Sequence, residues 1–556
     1  MIFRLLPIRY KILLERTCIR WQDLLRRSWS RFSCLDLSVE KWAKRPLYFV
    51  NNELVSFSSR SASMIRSAVI RCGLYVTTID FVNDKVAHKI IDRYKFSCTN
   101  NCILQLISSN CIKLKNINVK ICCVEGLKSL AENFSTLEAI YFFGLQHFET
   151  TEIDKCLRIL IQNNSRLNSI SFNEINSLNF LMNIEHKMIK ISLTSATSSV
   201  NQSEDILASC IKNSHLSLKK FSLKVFELDF VAISEQLRHC KNLTKLKIHA
   251  NVFVNIYTEA RLANIFLGCE NIQSVSISGL NNKNSTIESH CGTKVTSWLH
   301  HVNPATLNQL YLSATAENKK YLLKEFPAFI NLRYLALSGI NSEDDKKLFD
   351  TIAMCSNLEI MQFSECNFSM KTSKGQYIFR YLKKLQYLSI ENSMNSNLDE
   401  NDLVNAISIF SNQLEKLQLC LVNLTDAGLK YLPNLKRLCS LSIFFSAQLV
   451  GSNLFRINTL KKLECICCKK LQDESLKLLI KEAVNLSKMV IFYCPNVTRE
   501  LIKFAIKEKK TQILNQDTLT IAACIRNLKS IEFKHRYPGL NLELVNDINS
   551  TTQLEN

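Results

Sequence analysis

One hydrophobic pattern recurs along this chain. An apolar residue is followed by two residues of any kind, a second apolar residue, one residue of any kind and a third apolar residue. Clear copies are Leu243-Leu246-Ile248, Leu332-Leu335-Leu337 and Leu414-Leu417-Leu419. Seventeen copies begin between residues 76 and 528, and the first sixteen are about 27 residues apart on average. Alternating apolar positions predict one short strand in each copy.

Apolar residues at helical spacing follow several of these strands. After the copy that begins at Leu460, for example, Leu476, Leu479, Ile480 and Val484 share one helix face. A strand and a helix within 20–29 residues are typical of leucine-rich repeats. A single repeat cannot bury its apolar face alone, so stacked repeats share a continuous core.

The predicted fold class is therefore α/β. We expect a leucine-rich-repeat solenoid with a curved parallel sheet on its concave face and helices on its convex face. About 17 repeats would occupy residues 30–537. A helical segment (1–29) would precede them, and a flexible polar tail (538–556) would follow.

Composition narrows the function classes. Only 11 Gly and 7 Pro disfavour a sandwich or barrel built on frequent turns, and 47% hydrophobic residues argue against disorder. The formal net charge of +21 has two interpretations, a solvated helical surface or a partner that is acidic or phosphorylated. Nucleic acid is an unlikely partner because no recognisable binding module accompanies the charge. No apolar run approaches the length of a membrane span, and no membrane partner is expected.

The 22 cysteines follow the repeat. Cys240 and Cys355 come three residues before the first apolar strand position, and Cys366 and Cys468 come three residues after the last. Free cysteine packs as a small hydrophobic residue, which predicts a packing role. Because no secretory signal is evident, we expect reduced thiols in the cytoplasm or nucleus. Zinc binding is the alternative, but the cysteine clusters do not provide two Cys-x-x-Cys pairs, and no cofactor is expected.

The strand exits and the N-terminus carry a family resemblance. The frame Cys468-Lys-Lys-Leu471-Gln-Asp473 resembles the cysteine-containing subtype of leucine-rich repeat, which is common in substrate-recognition subunits of SCF-type ubiquitin ligases. Residues 6–25 resemble the second half of an F-box, with its helix ending in Cys18-Ile-Arg-Trp21 and the strand residues Phe32, Leu35 and Leu37 beyond it. The resemblance implies binding to a Skp-family adaptor, and through it to a cullin, by Ile12, Leu13, Cys18, Trp21 and Leu24.

The first F-box helix, with its Leu-Pro start, has no counterpart before Met1. We expect either a sequence clipped at its N-terminus or a degenerate F-box. The alternative role for the N-terminal segment is an amphipathic cap on the end of the array, which repeat proteins need in any case.

Strand alternation also predicts where a partner would bind. The third, fifth and seventh positions of each copy face away from the core. They carry a basic patch and a set of tyrosines, which we expect to hold an acidic or phosphorylated protein segment. The alternative is that these residues only keep the sheet soluble. The residues are Lys220, Lys224, Lys245, Lys247, His249, Tyr311, Tyr334 and Tyr387.

No catalytic motif is recognisable. The sequence has no glycine-rich phosphate loop and no His-Glu-x-x-His motif. We therefore predict a non-catalytic protein. Two functions stay open: a substrate receptor of a cullin-based ubiquitin ligase, and an interaction scaffold or competitive inhibitor with a vestigial F-box.

Overall fold

The computed structural model describes most of the chain. The described residues are 8–15, 17–30, 32–36, 59–80, 101–120, 124–145, 149–182, 184–195, 204–253, 258–279, 297–313, 321–322, 329–341, 345–366, 378–391, 400–421, 423–511, 519–525 and 540–546. They fall into two compact units, the first within Met1–Ile272 and the second almost entirely from Gln273 onward.

The first unit contains a parallel sheet in which each strand pairs with the next along the chain. Its strands, among the described residues, are β1 (Cys34–Asp36), β2 (Thr78–Asp80), β3 (Asn116–Lys120), β4 (Ala139–Phe143), β5 (Ser169–Ile175), β6 (Lys190–Ser195), β7 (Lys220–Leu228) and β8 (Lys245–Phe253).

Helices precede or connect these strands, and successive helices contact one another. They are α1 (Ile8–Glu15), α2 (Ile19–Trp29), α3 (Ser59–Cys72), α4 (Asn101–Asn110), α5 (Val124–Asn133), α6 (Thr150–Asn163), α7 (Glu204–Ser214), α8 (Val231–Leu237) and α9 (Thr258–Gly268), with single 3-10 turns at Gly73–Tyr75 and Asn179–Leu181.

The second unit repeats the same architecture. Its parallel sheet contains β9 (Ser274–Ser278), β10 (Gln309–Ser313), β12 (Tyr334–Ser338), β14 (Ile360–Ser364), β15 (Tyr387–Glu391), β16 (Lys416–Cys420), β17 (Ser440–Phe444), β18 (Lys462–Ile466), β19 (Lys488–Phe492), β20 (Leu519–Ile525) and β21 (Leu540–Asn546). The short strands β11 (Tyr321–Leu322) and β13 (Ile340–Asn341) form a separate parallel pair.

The helices of the second unit vary more in length. They are α10 (Asp345–Met354), α11 (Ile378–Tyr381), α12 (Glu400–Phe410), α13 (Asp426–Leu429), α14 (Asp473–Glu482) and α15 (Arg499–Thr511), with 3-10 helices at Ser297–His301, Leu432–Asn434 and Leu454–Arg456. No helix in the described part of the chain is long and apolar enough to cross a membrane.

The hydrophobic pattern dictates this arrangement. In all sixteen copies from residue 76 to residue 486, a strand begins two residues after the first apolar position. Leu243, Leu246 and Ile248 are fully buried, and positions one, four and six of the other copies are buried wherever the structure describes them. Burying each such side chain stabilises the fold by roughly 1.5–3 kcal/mol. The predicted α/β leucine-rich-repeat fold class is confirmed.

The C-terminal end differs from the prediction. The copy that begins at Leu528 lies outside the described residues. Two strands that we did not predict, β20 and β21, pair with each other in parallel. β21 falls within the stretch predicted to be a flexible polar tail, so that prediction is wrong for residues 540–546. Leu540, Leu542 and Leu544 recur at every second residue there, which is the spacing of a strand.

Several strand exits share one backbone geometry. The eighth position is left-handed in several repeats, as in Gly339 (φ 63°) and Glu365 (φ 53°). Its N–H donates the last hydrogen bond between the two strands, to the carbonyl oxygen at the seventh position of the next repeat. Gly339, for example, donates to the Ser364 carbonyl oxygen at 2.8 Å. The turn then directs the ninth residue back into the core.

That ninth position explains one group of cysteines. Cys366 is buried, and its Sγ donates to the Leu337 carbonyl oxygen of the preceding strand at 3.2 Å. Ser446 is buried at the same repeat position, and its Oγ donates to the Leu421 carbonyl oxygen, just after the preceding strand, at 2.7 Å. The packing role is confirmed for the described cysteines of both groups, while Cys122 lies outside the described residues: Cys111, Cys240, Cys269, Cys355, Cys366, Cys468 and Cys494.

Asparagine side chains tie successive repeats together. The Asn331 Nδ2 donates to the Ala305 carbonyl oxygen at 2.7 Å, and Asn357 contacts Ile330 in the same way at 2.8 Å. Asn164 is the buried member of this group. These bonds satisfy carbonyl groups that the strand ladder does not reach.

Candidate functional site

The predicted basic patch forms on the sheet of the first unit. Lys190, Lys220 and Lys245 are register partners on β6, β7 and β8. Lys247 and His249 lie farther along β8, and His249 pairs in register with Lys224. Neighbouring strands are about 4.8 Å apart. We call this surface the basic face and define it as Lys190, Lys220, Lys224, Lys245, Lys247 and His249.

The basic face concentrates like charge. Burial, reinforced by the charges of Lys220, Lys245 and Lys247, lowers the pKa of Lys190. Burial also lowers the pKa of Lys245, with Lys247 and Lys220 adding to the effect. Like charges directly opposite each other on neighbouring strands are destabilising. The row of lysines therefore costs folding free energy unless an anion offsets it.

His249, which we predicted to be a partner-binding residue, does not add to the positive charge of this face. Burial, together with the charges of Lys247 and Lys224, lowers its pKa to about 4. The imidazole is therefore neutral at physiological pH. It contributes a polar surface for hydrogen bonding and no positive charge.

Sequence reasoning missed Lys190, although the signal was present. Lys190 is the third residue of the copy that begins at Met188, the same position as Lys220 and Lys245. Its Nζ lies 4.3 Å from the centroid of the Tyr141 ring on β4, a cation–π contact that extends the surface across β5. On β4 to β8, no Asp or Glu occupies the third, fifth or seventh position.

The predicted tyrosines lie in the second unit, where their environment is mixed. The Tyr334 hydroxyl donates to Gln362 Oε1 at 2.8 Å, and the Tyr387 hydroxyl donates to Gln418 Oε1 at 3.1 Å. Burial raises the pKa of both phenols. Tyr311 is half-buried on β10. These rings form part of an internal polar network as well as a surface.

Carboxylates also belong to that network. Gln418 donates to Glu391, and Glu464 accepts from Ser442 at 2.7 Å and pairs with Lys462 at 2.7 Å. The sheet surface of the second unit thus has both signs of charge. The predicted tyrosines belong to the second unit and the predicted lysines to the first.

The N-terminal helices separate the predicted adaptor-binding residues into two groups. Ile12 is fully buried, so it packs within the unit and cannot contact a partner without rearrangement. Leu13, Trp21 and Leu24 are more than a third exposed, and Cys18 is exposed too. The structure therefore presents four of the five on the surface.

A buried polar cluster fixes these helices. Glu15 is nearly buried, accepts a hydrogen bond from the Trp29 indole N–H, and pairs with Arg71 on α3. The ion pair joins α1 to α3, and α1, α2 and α3 all contact one another. This packing holds the exposed apolar residues of α1 and α2 in place.

Comparisons with known proteins show only a general likeness. The chain matches no family model and no curated protein. Among solved structures, it resembles an internalin from Listeria monocytogenes at 13% identity and TM-score 0.33, covering 77% of this chain and 94% of that one. It also resembles the TLR13–ssRNA13 complex (14% identity, TM-score 0.35, covering 85% and 67%) and the yeast Rad7–Elc1 complex (12%, 0.35, covering 88% and 94%). The fold assignment rests on the strand register of this chain.

Proposed function

We propose that this chain is a non-catalytic interaction protein whose basic face holds an acidic or phosphorylated segment of a protein partner. The observation that carries the proposal is the register row of Lys190, Lys220 and Lys245, with no carboxylate at the neighbouring outward positions. At a strand spacing of about 4.8 Å, two or three ammonium groups can surround one phosphate or one carboxylate pair.

Folding alone gives no reason for such a row. Stacked lysines repel one another, and burial of Lys190 adds a desolvation cost. A bound anion removes the repulsion and recovers both costs. A cleft or face with one sign of charge also speeds the encounter with an oppositely charged partner.

We further propose that the partner is a substrate and that the chain is a substrate-recognition subunit of an SCF-type ubiquitin ligase. In this proposal α1 and α2 bind a Skp-family adaptor, and through it a cullin, by Leu13, Cys18, Trp21 and Leu24. The exposed apolar side chains on those helices and the resemblance to an F-box and to cysteine-containing repeats support it. An intracellular location, cytoplasmic or nuclear, follows from that assignment.

The second candidate is a scaffold without ligase activity. The observation that favours it is the burial of Ile12 and the Glu15–Arg71 ion pair, which suit a cap on the end of the array. Co-purification with the adaptor and cullin separates the two. Trp21→Ala with Leu24→Asp should abolish adaptor binding in the ligase version. A wild-type chain that does not bind the adaptor favours the scaffold.

Charge reversal tests the basic face. The quadruple variant Lys220→Glu, Lys224→Glu, Lys245→Glu and Lys247→Glu should lower the affinity for a fluorescein-labelled oligoglutamate peptide, and for its phosphoserine counterpart, by at least about a hundredfold in fluorescence anisotropy. The loss should be largest at low ionic strength.

A matched control has the same change in net charge. It reverses four exposed lysines of the second unit, Lys436, Lys461, Lys481 and Lys507, and should lower the affinity by only a few-fold. Equal losses in the two variants would show that net charge, and not the basic face, binds the peptide. Tighter binding of a single-stranded oligonucleotide than of either peptide would contradict a protein partner.

A further inference from the structure

An apolar rim lies where β17, β18 and β19 end. Phe444, Ile466 and Phe492 are register partners at the seventh position of these neighbouring strands, and each is half-buried. Phe445 and Tyr493 follow directly, and each side chain is 50% exposed. We call these five residues the aromatic rim.

The rim residues Phe445 and Tyr493 have an unfavourable backbone conformation. Their φ angles are 59° and 56°, in the left-handed region that bulky residues rarely adopt. The same repeat position is glycine in some repeats, as in Gly339 (φ 63°), and Glu or Cys in others, as in Glu365 (φ 53°) and Cys467 (φ 57°). Glycine adopts this conformation without steric cost.

The fold does not need an aromatic residue at this position. The contact that several repeats make there comes from the backbone. Phe445 N–H donates to the Ile466 carbonyl oxygen at 2.9 Å, and Gly339 makes the equivalent bond at 2.8 Å. Phe230, the other aromatic residue with positive φ among the described residues, is fully buried and is explained by packing. Since Glu174, Glu365 and Cys467 share the left-handed φ, what sets the rim apart is that its aromatic side chains are exposed beside one another.

The turns that carry the rim contain lysines, whereas the nearest carboxylates belong to other segments: Asp426 accepts from the Val450 N–H and Asp473 accepts from Thr498. The three strand exits, residues 444–450, 466–472 and 492–498, contain two lysines and no Asp or Glu. Both lysines, Lys469 and Lys470, are exposed and lie on the turn after β18, between the turns that carry Phe445 and Tyr493. An apolar surface with cations in its middle is complementary to an apolar side chain next to carboxylates.

We infer that the aromatic rim docks a peptide segment in which an aliphatic or aromatic side chain is flanked by Asp or Glu. The apolar side chain packs on Phe445 and Tyr493, and the carboxylates face Lys469 and Lys470. This site is distinct from the basic face, belongs to the other unit, and does not depend on the adaptor assignment.

A phage library of random dodecapeptides, panned on the full chain and ranked by binding to variants, tests the inference. Enriched peptides should contain an apolar residue beside acidic residues. Their affinity should fall at least about tenfold for Phe445→Gly with Tyr493→Gly, and for Lys469→Glu with Lys470→Glu. The matched control is Glu365→Gly, which changes the same left-handed position outside the rim and should leave binding unchanged.

Thermal unfolding separates a binding role from a structural one. Phe445→Gly with Tyr493→Gly should keep or raise the melting temperature, as Glu365→Gly should, because glycine relieves the left-handed strain. Asparagine at both positions gives a second test, since it tolerates this conformation and lacks the ring.

Several results would overturn the inference. They are a melting temperature below that of the wild type in both rim variants, enrichment of peptides without acidic residues, no enrichment at all, or equal binding by the rim variants and Glu365→Gly. A concentration-dependent dimer that Phe445→Gly disrupts would also overturn it, because a second copy of the chain would then occupy the rim.

Discussion

Replacing the buried Asn164 by alanine should weaken the connection between two neighbouring repeats. Asn164 follows α6 and is fully buried. Its Oδ1 accepts from the Leu137 N–H at 2.7 Å, and its Nδ2 donates to the Phe134 and Leu160 carbonyl oxygens at 2.9 and 2.7 Å. Leu137 and Phe134 belong to the preceding repeat, so the side chain joins two neighbouring repeats of the first unit.

The expected cost follows from what is left behind. Alanine removes the partners of one buried N–H and one buried C=O in the preceding repeat. Each unsatisfied buried group costs about 1–3 kcal/mol, so Asn164→Ala should destabilise this region by about 3 kcal/mol. Asn163, the neighbouring residue, is exposed and makes a single bond to Ala131 at 2.9 Å. Since water can replace that bond, Asn163→Ala should cost about 0.5–1 kcal/mol.

Hydrogen exchange is the deciding assay, because an array of repeats need not unfold in one step. A loss of about 3 kcal/mol corresponds to a roughly hundredfold loss of protection at the Leu137 amide and its neighbours on β4. Asn163→Ala should change protection there less than about tenfold. Equal effects of the two variants would refute the assignment of Asn164 as the main side-chain connection.

Three other predictions concern single residues. Lys190→Met keeps the aliphatic packing and removes one charge from the basic face. It should therefore raise the melting temperature and lower the affinity for the oligoglutamate peptide. A lower melting temperature would show that the neighbouring lysines do not repel Lys190. Burial raises the pKa of Glu204 above its ordinary 4.5, although the Glu204 carboxylate accepts hydrogen bonds from the Asp229 and Phe230 N–H groups. The folded state therefore binds the proton more tightly than the unfolded state does. The stability that this group contributes falls as pH rises from about 4.5 through the folded pKa. Glu204→Gln should therefore unfold at a higher temperature than the wild type at pH 7 and at the same temperature below pH 4, and a constant difference between the two melting curves would contradict this. Cys494→Ser should lower the free energy of unfolding in denaturant by about 1 kcal/mol or less, because Ser446 already occupies the equivalent position in its own repeat. Cys494→Leu should lower it by about 1–3 kcal/mol, because the larger side chain overpacks the core. The reverse order would refute the packing role.

The sequence predicted the repeats well because burial alone specifies them. Every strand from β2 to β10, and β12 and β14 to β19, begins two residues after a predicted first position, since a shift by one residue would expose the apolar set. The prediction failed at β20, where Ala523 is the register partner of Ile491 and so replaces a large apolar residue of the pattern. Small side chains bury as well, but they carry little periodic signal.

The candidate sites were less predictable. Strand alternation located Lys220, Lys224, Lys245 and Lys247 correctly on one face, and the same rule applied to β6 would have added Lys190. Strand alternation could not show that His249 is neutral, since its pKa depends on burial and on lysines of both β7 and β8. Ile12 was assigned to the surface because α1 is too short to reveal which side packs against α3. The left-handed Phe445 and Tyr493 give no local signal, because nothing in either side chain favours that conformation.

The buried cysteines give this protein an internal set of reporters for local opening. Burial raises the pKa of Cys72, Cys111, Cys210, Cys240 and Cys269 to about 12, so at pH 8 hardly any thiolate exists to react while these repeats stay closed. A maleimide pulse followed by peptide mass spectrometry would then label each thiol only when its own repeat opens. The order in which the five become labelled would map how the first unit comes apart, without introducing any probe into the chain.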